Sequence, residues 1–210
     1  MNLYIIRHSQ GYNNLVDGKS GNSDTPLTEL GQRQTVALAK WLPQKLTQID
    51  AIYASTLRRT VETAQPIAQA YGMESQFDHR LREIGCNRVD QTPWPDNSLP
   101  QYANFWSSER PFTSISPDVE QGESLMDFRS RVGAVIEELA ARHRQQSVLV
   151  VTHSRVIELI FDHIFNIGPW RRCEVAMENS AISHFEYIEL PNREMWRLHF
   201  HNKVEHLACY

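Results

Sequence analysis

The chain has 210 residues, of which 41% are hydrophobic and 22% charged, with a formal net charge of −4. This length accommodates one large domain with a full hydrophobic core, and the mild acidity gives no reason to expect a nucleic acid or an anionic membrane surface as partner. No apolar run approaches the roughly 18 residues that span a bilayer, and no signal peptide is visible, because Arg7 interrupts the first apolar run.

The first predicted element is a buried strand that ends in an arginine and a histidine. Residues 3–6 (LYII) have the aliphatic and aromatic bias of a strand, and the polar stretch after Arg7 and His8 predicts a loop. In open α/β sheets, ligands bind at the edge formed by the carboxyl ends of the strands. Arg7 and His8 therefore belong either to a site or to a strand that becomes polar where it reaches the surface.

A helix and then a second strand–helix unit follow this loop. Thr28 is a good N-cap for the first helix. Residues 51–55 (AIYAS) predict a strand, and residues 56–72 predict a helix with Gly72 as its C-cap. Pro66 is expected to bend this helix or to lie near its end. The expected apolar face of the first helix comprises Leu30, Val36, Leu38 and Leu42.

The periodicity of helices and strands is lost between residues 85 and 122. Prolines and aromatic residues alternate there, and so long a segment inside a compact domain is typical of a lid or a substrate-binding insertion. We expect it to cover the sheet edge, with Trp94 and Trp106 in contact with a ligand. The alternative is that these aromatic side chains seal a small satellite core.

Periodicity returns at Ser124, the predicted N-cap of a long helix whose charged residues in the 132–144 portion are expected to face solvent. Residues 147–153 (SVLVVTH) predict a buried parallel strand, and residues 154–165 predict a helix.

The last predicted element is an antiparallel hairpin of residues 181–190 and 195–202, with a turn at residues 191–194. Strands and helices alternate through most of the chain before it. The predicted fold class is therefore α/β: a three-layer α/β/α sandwich with a mostly parallel central sheet and helices on both faces.

Two apolar strands deliver a histidine to the same edge of this predicted sheet. The stretch VLVVTHS ends in His153 as LYIIRHS ends in His8. Arg7 stands beside one histidine, and Arg59 begins the helix after the second strand. Guanidinium groups make bidentate contacts with phosphate, so cations that converge in an acidic protein predict an anionic ligand.

The chain resembles the histidine phosphatase superfamily, the phosphoglycerate-mutase-like fold, over nearly its whole length. The resemblance rests on motifs in the family's order: RHSQGYNN, matching at Arg7, His8, Gln10 and Asn14; DTPLTELGQRQ; YASTLRRTVETAQPIA, matching at Ser55, Leu57, Arg59, Thr63 and Ala64; LREIG, with Glu83; GES at residues 122–124; and VVTHS, with His153. Any one motif is weak, but the ordered combination is specific. It implies a single histidine phosphatase domain over residues 1–210.

The resemblance implies a metal-independent phosphomonoesterase without a cofactor. His8 would accept the phosphoryl group and form a phosphohistidine. Arg7, Arg59 and His153 would hold the equatorial oxygens, where charge resides in the transition state. Asn14 is expected to bind the same group.

Glu83 is the expected proton donor to the leaving group, and it would later activate water. The alternative for Glu83 is a solvated loop carboxylate. Arg88 and Arg155 are candidates for contact with an anionic substrate, although a helix-surface position explains Arg155 equally well.

The chain departs from the family pattern at three places. Ser9 stands where glycine is usual, Gly11 replaces a hydroxyl residue, and Ser154 with Arg155 replaces a glycine-containing pair. Backbone amides at Ser154 are expected to approach the phosphate closely.

Two other functions compete with the phosphatase. A cofactor-dependent phosphoglycerate mutase is similar, but only Arg88 and Arg110 are cationic between residues 85 and 122, too few to retain a bisphosphate. A catalytically inactive phosphate-binding or scaffold protein is the alternative of another class. A small phosphorylated metabolite is the expected partner, and the sequence does not decide between a monomer and a homodimer.

The remaining candidates are a metal pair and the cysteines. His199 and His201 are two residues apart on one strand, so they are expected to share a face, where exposed polarity explains them at least as well as a metal. The cysteines at positions 86, 173 and 209 include no C-x-x-C pair, which favours reduced thiols in the cytoplasm.

Overall fold

The computed structural model describes residues 1–15, 24–95, 120–168 and 174–208. The strands are β1 (Asn2–Arg7), β2 (Ala51–Ala54), β3 (Ser75–Phe77), β4 (Ser147–Thr152), β5 (Ile182–Leu190) and β6 (Arg193–Lys203). The helices are α1 (Glu29–Lys45), α2 (Arg58–Tyr71), α3 (Leu125–Arg142) and α4 (Ser154–Ile164). Within the described part of the chain, no helix combines the length and the apolarity needed to cross a membrane.

The six strands form one sheet in the order β3-β2-β4-β1-β5-β6. Strands β3, β2, β4 and β1 are parallel, whereas β5 and β6 are antiparallel additions beside β1. The structure thus confirms a mostly parallel central sheet. Because Arg7 pairs with Thr152 at the ends of β1 and β4, the residues that follow these strands emerge side by side.

Helices cover both faces of the sheet, as predicted for a three-layer sandwich. On one face Leu3 and Ile5 pack in a cluster with residues of α3 and α4, such as Phe128 and Ile157. On the other face Ile6 and Ile52 pack with residues of α1 and α2, such as Leu38 and Ile67. This arrangement places both predicted histidines at one edge, between two hydrophobic layers.

The predicted apolar face of α1 is half wrong. Leu38 and Leu42 are fully buried, but Leu30 and Val36 are 38% and 47% exposed. The buried stripe follows helical spacing through Thr35, Leu38, Ala39 and Leu42 instead. Apolar character alone therefore misassigned two residues that lie off the stripe.

Gly72 caps α2 with a left-handed φ of 65°, as predicted, and Pro66 lies inside α2, in its second half. Two other boundaries differ from the sequence-based expectation. Strand β3 was not predicted, because it has only three residues and two are polar. The final turn is Pro191-Asn192 alone, since β6 begins at Arg193 and pairs there with Leu190.

The two described ends of the predicted insertion meet at the start of α3. Bridges join Asn87 to Pro93 and Arg88 to Gly122, and the amide of Val89 donates to the carbonyl of Gln121 at 2.9 Å. Residues 96–119, which include Trp106, lie outside the described residues. The covering role of the segment therefore stays a prediction.

Candidate active site

His8 and His153 lie together at the carboxyl edge of the sheet. Each directly follows its strand, and the amide of His8 donates to the carbonyl of Thr152 at 2.9 Å. Their ring centroids are 5.1 Å apart, and both side chains are buried. The juxtaposition predicted from the two strand ends is thus present.

The backbone sets the tautomer of the His8 ring. Nδ1 lies 2.7 Å from the carbonyl oxygen of Ser9, which can only accept, so Nδ1 carries the proton. Nε2 is then unprotonated, and it accepts a hydrogen bond from Nε of Arg59 at 3.2 Å. Burial, followed by the charges of Arg59 and Arg7, holds the pKa of His8 well below its ordinary value. His8 is therefore a neutral imidazole with a lone pair on Nε2.

Arg59 reaches this ring from the first turn of α2. Its own carbonyl accepts from the hydroxyl of Thr63 at 2.7 Å, and the Oγ1 of Thr63 accepts from the amide of Ser9 at 3.1 Å. One threonine thereby ties the loop after β1 to α2. This contact explains why a threonine four residues after the arginine belongs to the motif.

Two buried polar atoms at this edge have no hydrogen-bond partner within the described residues: Nε of Arg7 and Nδ1 of His153. The guanidinium of Arg7 donates through Nη1 to the carbonyl of Met177. Nε2 of His153 lies 2.8 Å from Oγ of Ser55, so the hydroxyl can donate and leave the proton on Nδ1. Because buried polar atoms are normally hydrogen-bonded, these two atoms are suited to a ligand's oxygens.

Glu83 lies beside the N-terminus of α4, the helix whose N-cap is His153. Its carboxylate accepts from the amide of Ile84 at 3.0 Å and from the amide of Arg155 at 3.4 Å. Burial lowers the pKa of Arg7, and Glu83 makes the largest opposing contribution. The carboxylate is therefore placed against the cationic cluster rather than free in a solvated loop.

Asn14 belongs to the loop that carries the nucleophile. Its Oδ1 accepts from the amide of Gly11 at 2.9 Å and from Nδ2 of Asn179 at 3.3 Å. Asn179 also donates to the carbonyl of His8 at 3.0 Å. Sequence motifs missed Asn179, because it belongs to none of them and meets His8 only through the fold. Binding of phosphate by Asn14 stays a prediction.

The structure explains two departures from the family pattern. The hydroxyl of Ser9 lies 2.7 Å from that of Ser180 and accepts from Thr35 at 2.7 Å, so it fills a buried polar network. A Cβ atom on Gly11 would lie 2.5 Å from Oδ1 of Asn13 and 3.4 Å from Cδ of Arg59. A side chain at that position would require the Asn13 amide, which accepts from the hydroxyl of Thr25 at 3.2 Å, to move.

The candidates farther from His8, Arg155 and Arg88, each contact a neighbouring side chain. The guanidinium of Arg155 donates to both carboxylate oxygens of Glu158, at 2.7 and 2.8 Å. The guanidinium of Arg88 lies 5.3 Å from the ring centre of Trp94, whose Nε1 donates to the carbonyl of Asn87 at 3.0 Å. Ser154 is the first residue of α4 and half-buried, so its amide lies at the helix N-terminus.

The expectation that His199 and His201 share a face is wrong. The pairing of β5 and β6 shifts register next to His184. His199 and Phe200 both pack against the His184 ring, with centroids at 4.5 and 5.6 Å, whereas His201 packs on Phe161 across the sheet at 4.9 Å. A β-bulge places consecutive residues on one face and so reverses the alternation.

A buried ion pair behind Glu83 was also missed. The charged residues expected on the outer face of α3, such as Glu137, Arg142 and Arg144, are exposed. Arg131, one residue before the stretch assigned to that face, is instead fully buried and paired with Glu123, Nε to Oε2 at 2.7 Å. The GES motif at residues 122–124 was the available signal for Glu123.

A family model described as histidine phosphatase superfamily (branch 1) matches residues 3–203 of this chain. A probable phosphoglycerate mutase, GpmB, of Escherichia coli (strain K12 / DH10B) is 28% identical over 189 residues, which cover 90% of this chain and 86% of that protein.

Solved structures share the fold. YhfR of Bacillus stearothermophilus superposes with a TM-score of 0.74 at 24% identity and 98% coverage of both chains. A phosphoserine phosphatase from Entamoeba histolytica, in complex with 3-phosphoglyceric acid, gives 0.73 at 23% identity, again with 98% of each chain covered. A mycobacterial glucosyl-3-phosphoglycerate phosphatase in complex with VO3 gives 0.71 at 23% identity, with 97% of this chain and 99% of that chain covered.

Proposed function

The chain is an enzyme of the histidine phosphatase superfamily, branch 1, and from that membership we propose that it is a metal-independent phosphomonoesterase. The proposed substrate is a small phosphorylated metabolite, whose phosphoryl group passes first to His8 and then to water. The proposed domain comprises residues 1–210, with residues 85–122 as its substrate-binding insertion.

The observation that carries this proposal is the hydrogen bond between Nδ1 of His8 and the carbonyl oxygen of Ser9. A phosphoryl acceptor needs a free lone pair, and the bond from Nδ1 to the carbonyl of Ser9 leaves Nε2 unprotonated. The two unpartnered atoms of Arg7 and His153, together with Arg59, supply donors for the phosphoryl oxygens. A nucleophile and an oxyanion site thus lie at one buried edge.

The proposed reaction has two steps. In the first, Nε2 of His8 attacks phosphorus, the bond to the leaving oxygen breaks, and Glu83 gives that oxygen a proton. In the second, Glu83 takes a proton from water as the water oxygen attacks phosphorus and the P–N bond breaks. Inorganic phosphate leaves, and His8 and Glu83 return to their starting states.

A phosphoglycerate mutase is the second candidate, favoured by the similarity to the probable mutase of Escherichia coli. A mutase returns the phosphoryl group to an organic acceptor and must retain a bisphosphate intermediate. In the described part of residues 85–122, Arg88 is the cation, and its guanidinium already packs on Trp94. We therefore propose hydrolysis. A phosphatase releases inorganic phosphate, whereas a mutase returns the phosphoryl group to an organic acceptor, and this difference separates the two functions experimentally.

The test is to trap the phosphoenzyme and to screen substrates. Mixing the protein with a radiolabelled phosphodonor and quenching in alkali should leave label on His8, since phosphohistidine survives alkali. A panel of sugar phosphates, phosphorylated hydroxy acids, phosphoserine and nucleotides, assayed for released phosphate in EDTA, should identify the substrate class.

His8→Ala should abolish label and turnover while the chain stays folded, because a strand-end side chain adds little to the core. His199→Ala is the matched control, because His199 lies on the edge strand β6, where its ring stacks on His184. This variant should keep both the label and the turnover. Residual activity of His8→Ala within about tenfold of the unmutated protein, only ~1.4 kcal/mol, would remove His8 as nucleophile. Absence of label and turnover with every donor would favour the inactive phosphate-binding protein instead.

We also propose a cytoplasmic location, on the strength of the cysteines. Among the described residues, Cys86 is a free and buried thiol, and burial raises its pKa to about 12. Such a thiol is inert and suited to a reducing compartment. Cys173 and Cys209 lie outside the described residues.

A further inference from the structure

The ion pair of Arg131 and Glu123 lies directly behind the loop that carries Glu83. Arg131, in the second turn of α3, has 0% of its side chain exposed, and Glu123 has 1%. The contact is bidentate, with Nε to Oε2 and Nη2 to Oε1 both at 2.7 Å. Ser124, next to Glu123, caps α3 through reciprocal bonds with Asp127, so the carboxylate is held by a rigid helix start.

The remaining donors of Arg131 bind backbone carbonyls before and at Glu83. Nη1 donates to the carbonyls of Arg80 and Arg82, at 2.6 and 2.8 Å, and Nη2 donates to the carbonyl of Glu83 itself at 3.3 Å. The Oε1 of Glu123 completes the frame, because it accepts from the amide of Gly85 at 2.7 Å. One buried ion pair therefore fixes the loop before, at and after the catalytic carboxylate.

Stability alone is a weak reason for such a pair. Replacing a buried ion pair with apolar residues of similar volume is often neutral or stabilising, because both charges lose their hydration. An apolar core cannot supply directional hydrogen bonds. The planar guanidinium group of arginine presents five hydrogen-bond donors in a fixed geometry. Here those donors are directed to the Glu123 carboxylate and to three backbone carbonyls of the Glu83 loop.

We propose that Arg131, with Glu123, is the positioning residue for the proton donor of the reaction. It touches neither the substrate nor the reacting atoms. It sets the distance between the Glu83 carboxylate and the oxygen that leaves from phosphorus at His8. This inference rests on the proposed function, since it needs Glu83 to act as acid and base.

The test compares two leaving groups in Arg131→Lys, which keeps the charge and loses the planar guanidinium group. An alkyl phosphate needs a proton on its leaving oxygen, whereas dinitrophenyl phosphate does not. The kcat for the alkyl ester should fall roughly 10–100-fold. The rate of the initial burst of dinitrophenolate should change by less than about threefold. Release of phosphate after the burst should slow as well, because Glu83 also activates water. Glu83→Gln should show the same pattern.

Arg129→Lys is the matched control, because Arg129 lies on α3 like Arg131. Among the described residues its guanidinium binds Asp162 of α4 at 3.0 Å and the carbonyl of Ile167 at 2.6 Å, and not the Glu83 loop. This control should leave unchanged the ratio of kcat for the alkyl ester to the burst rate for dinitrophenyl phosphate. Should Arg131→Lys fail to fold, the isosteric Glu123→Gln takes its place, with the same leaving-group pattern expected.

If a folded Arg131 or Glu123 variant slows the burst of dinitrophenolate as much as it lowers kcat for the alkyl ester, the ion pair has only a structural role and the inference is overturned. In that case a selective loss in Glu83→Gln would leave the proposed function standing. If Glu83→Gln itself lacks selectivity, Glu83 is not the proton donor and the inference fails with that assignment, whereas label on His8 and release of phosphate still test the proposed function separately.

Discussion

Replacing Gly31 by alanine tests how closely α1 must approach the loop that carries the nucleophile. A Cβ atom at this position would lie 2.0 Å from the carbonyl oxygen of Gln10. Carbon–oxygen contacts are ordinarily about 3.3 Å or longer, so Gln10 must retreat by roughly 1.3 Å. The same oxygen accepts from the amide of Thr28 at 2.9 Å, and the retreat would break that bond.

The displacement lies two residues from His8, so it should affect catalysis more than stability. A misplacement of about 1 Å costs about 10²-fold in rate, and we expect kcat/KM to fall by that factor, about 2.7 kcal/mol. Overpacking costs about 1–3 kcal/mol of unfolding free energy. The better helix propensity of alanine offsets at most about 1 kcal/mol of it.

The assay is kcat/KM on the best substrate of the panel, with urea unfolding in parallel. Gln32→Ala is the matched control, because Gln32 is exposed on the same turn of α1, and it should leave both quantities unchanged. A Gly31→Ala protein with wild-type kcat/KM would refute the argument that this contact sets the position of the nucleophile.

Three further predictions follow from the same structure. Hydrolysis should survive EDTA, because Arg7 and Arg59 already supply the positive charge a metal would bring; loss of activity in EDTA with recovery on zinc or magnesium would contradict the phosphohistidine route. Trp94→Ala should change the ranking of phosphomonoesters by kcat/KM, by ~1–3 kcal/mol in discrimination, while inhibition by vanadate stays constant; an unchanged ranking in a folded variant argues for a purely structural tryptophan. Burial lowers the pKa of His184 and of His206 to about 4 in the folded chain, whereas the unfolded value is about 6.5, so the unfolded chain binds more protons between these values. Stability should therefore fall as the pH drops from about 6.5 to 4, and urea midpoints that do not fall across this range would disprove it.

Much of the fold followed from local pattern. The apolar runs at residues 3–6 and 147–153 predicted two buried strands, and capping residues such as Thr28 and Ser124 marked helix starts that the structure reproduces. These signals depend on residues within one or two turns of each other, so they are visible in a linear sequence. The meeting of His8 and His153 followed as well, because parallel strands end at a common edge.

The errors share a different cause. His199 and His201 lie on different faces because the pairing of β6 with β5 contains a bulge. Leu30 and Val36 are exposed because of the way α1 is rotated against the sheet. Periodicity predicts that a helix or strand has two faces, but the neighbouring elements determine which residues each face contains.

The residues that hold the site in place could not be predicted from local sequence pattern, for the same reason. Arg131 meets carbonyls 48 to 51 positions earlier, and Asn179 meets His8 across 171 positions. The sequence contains the nucleophile, the arginines and the carboxylate as recognisable motifs, because their chemistry restricts the residue type. Their orientation comes from hydrogen bonds between distant segments, and a buried guanidinium or amide finds those partners only when the chain has packed.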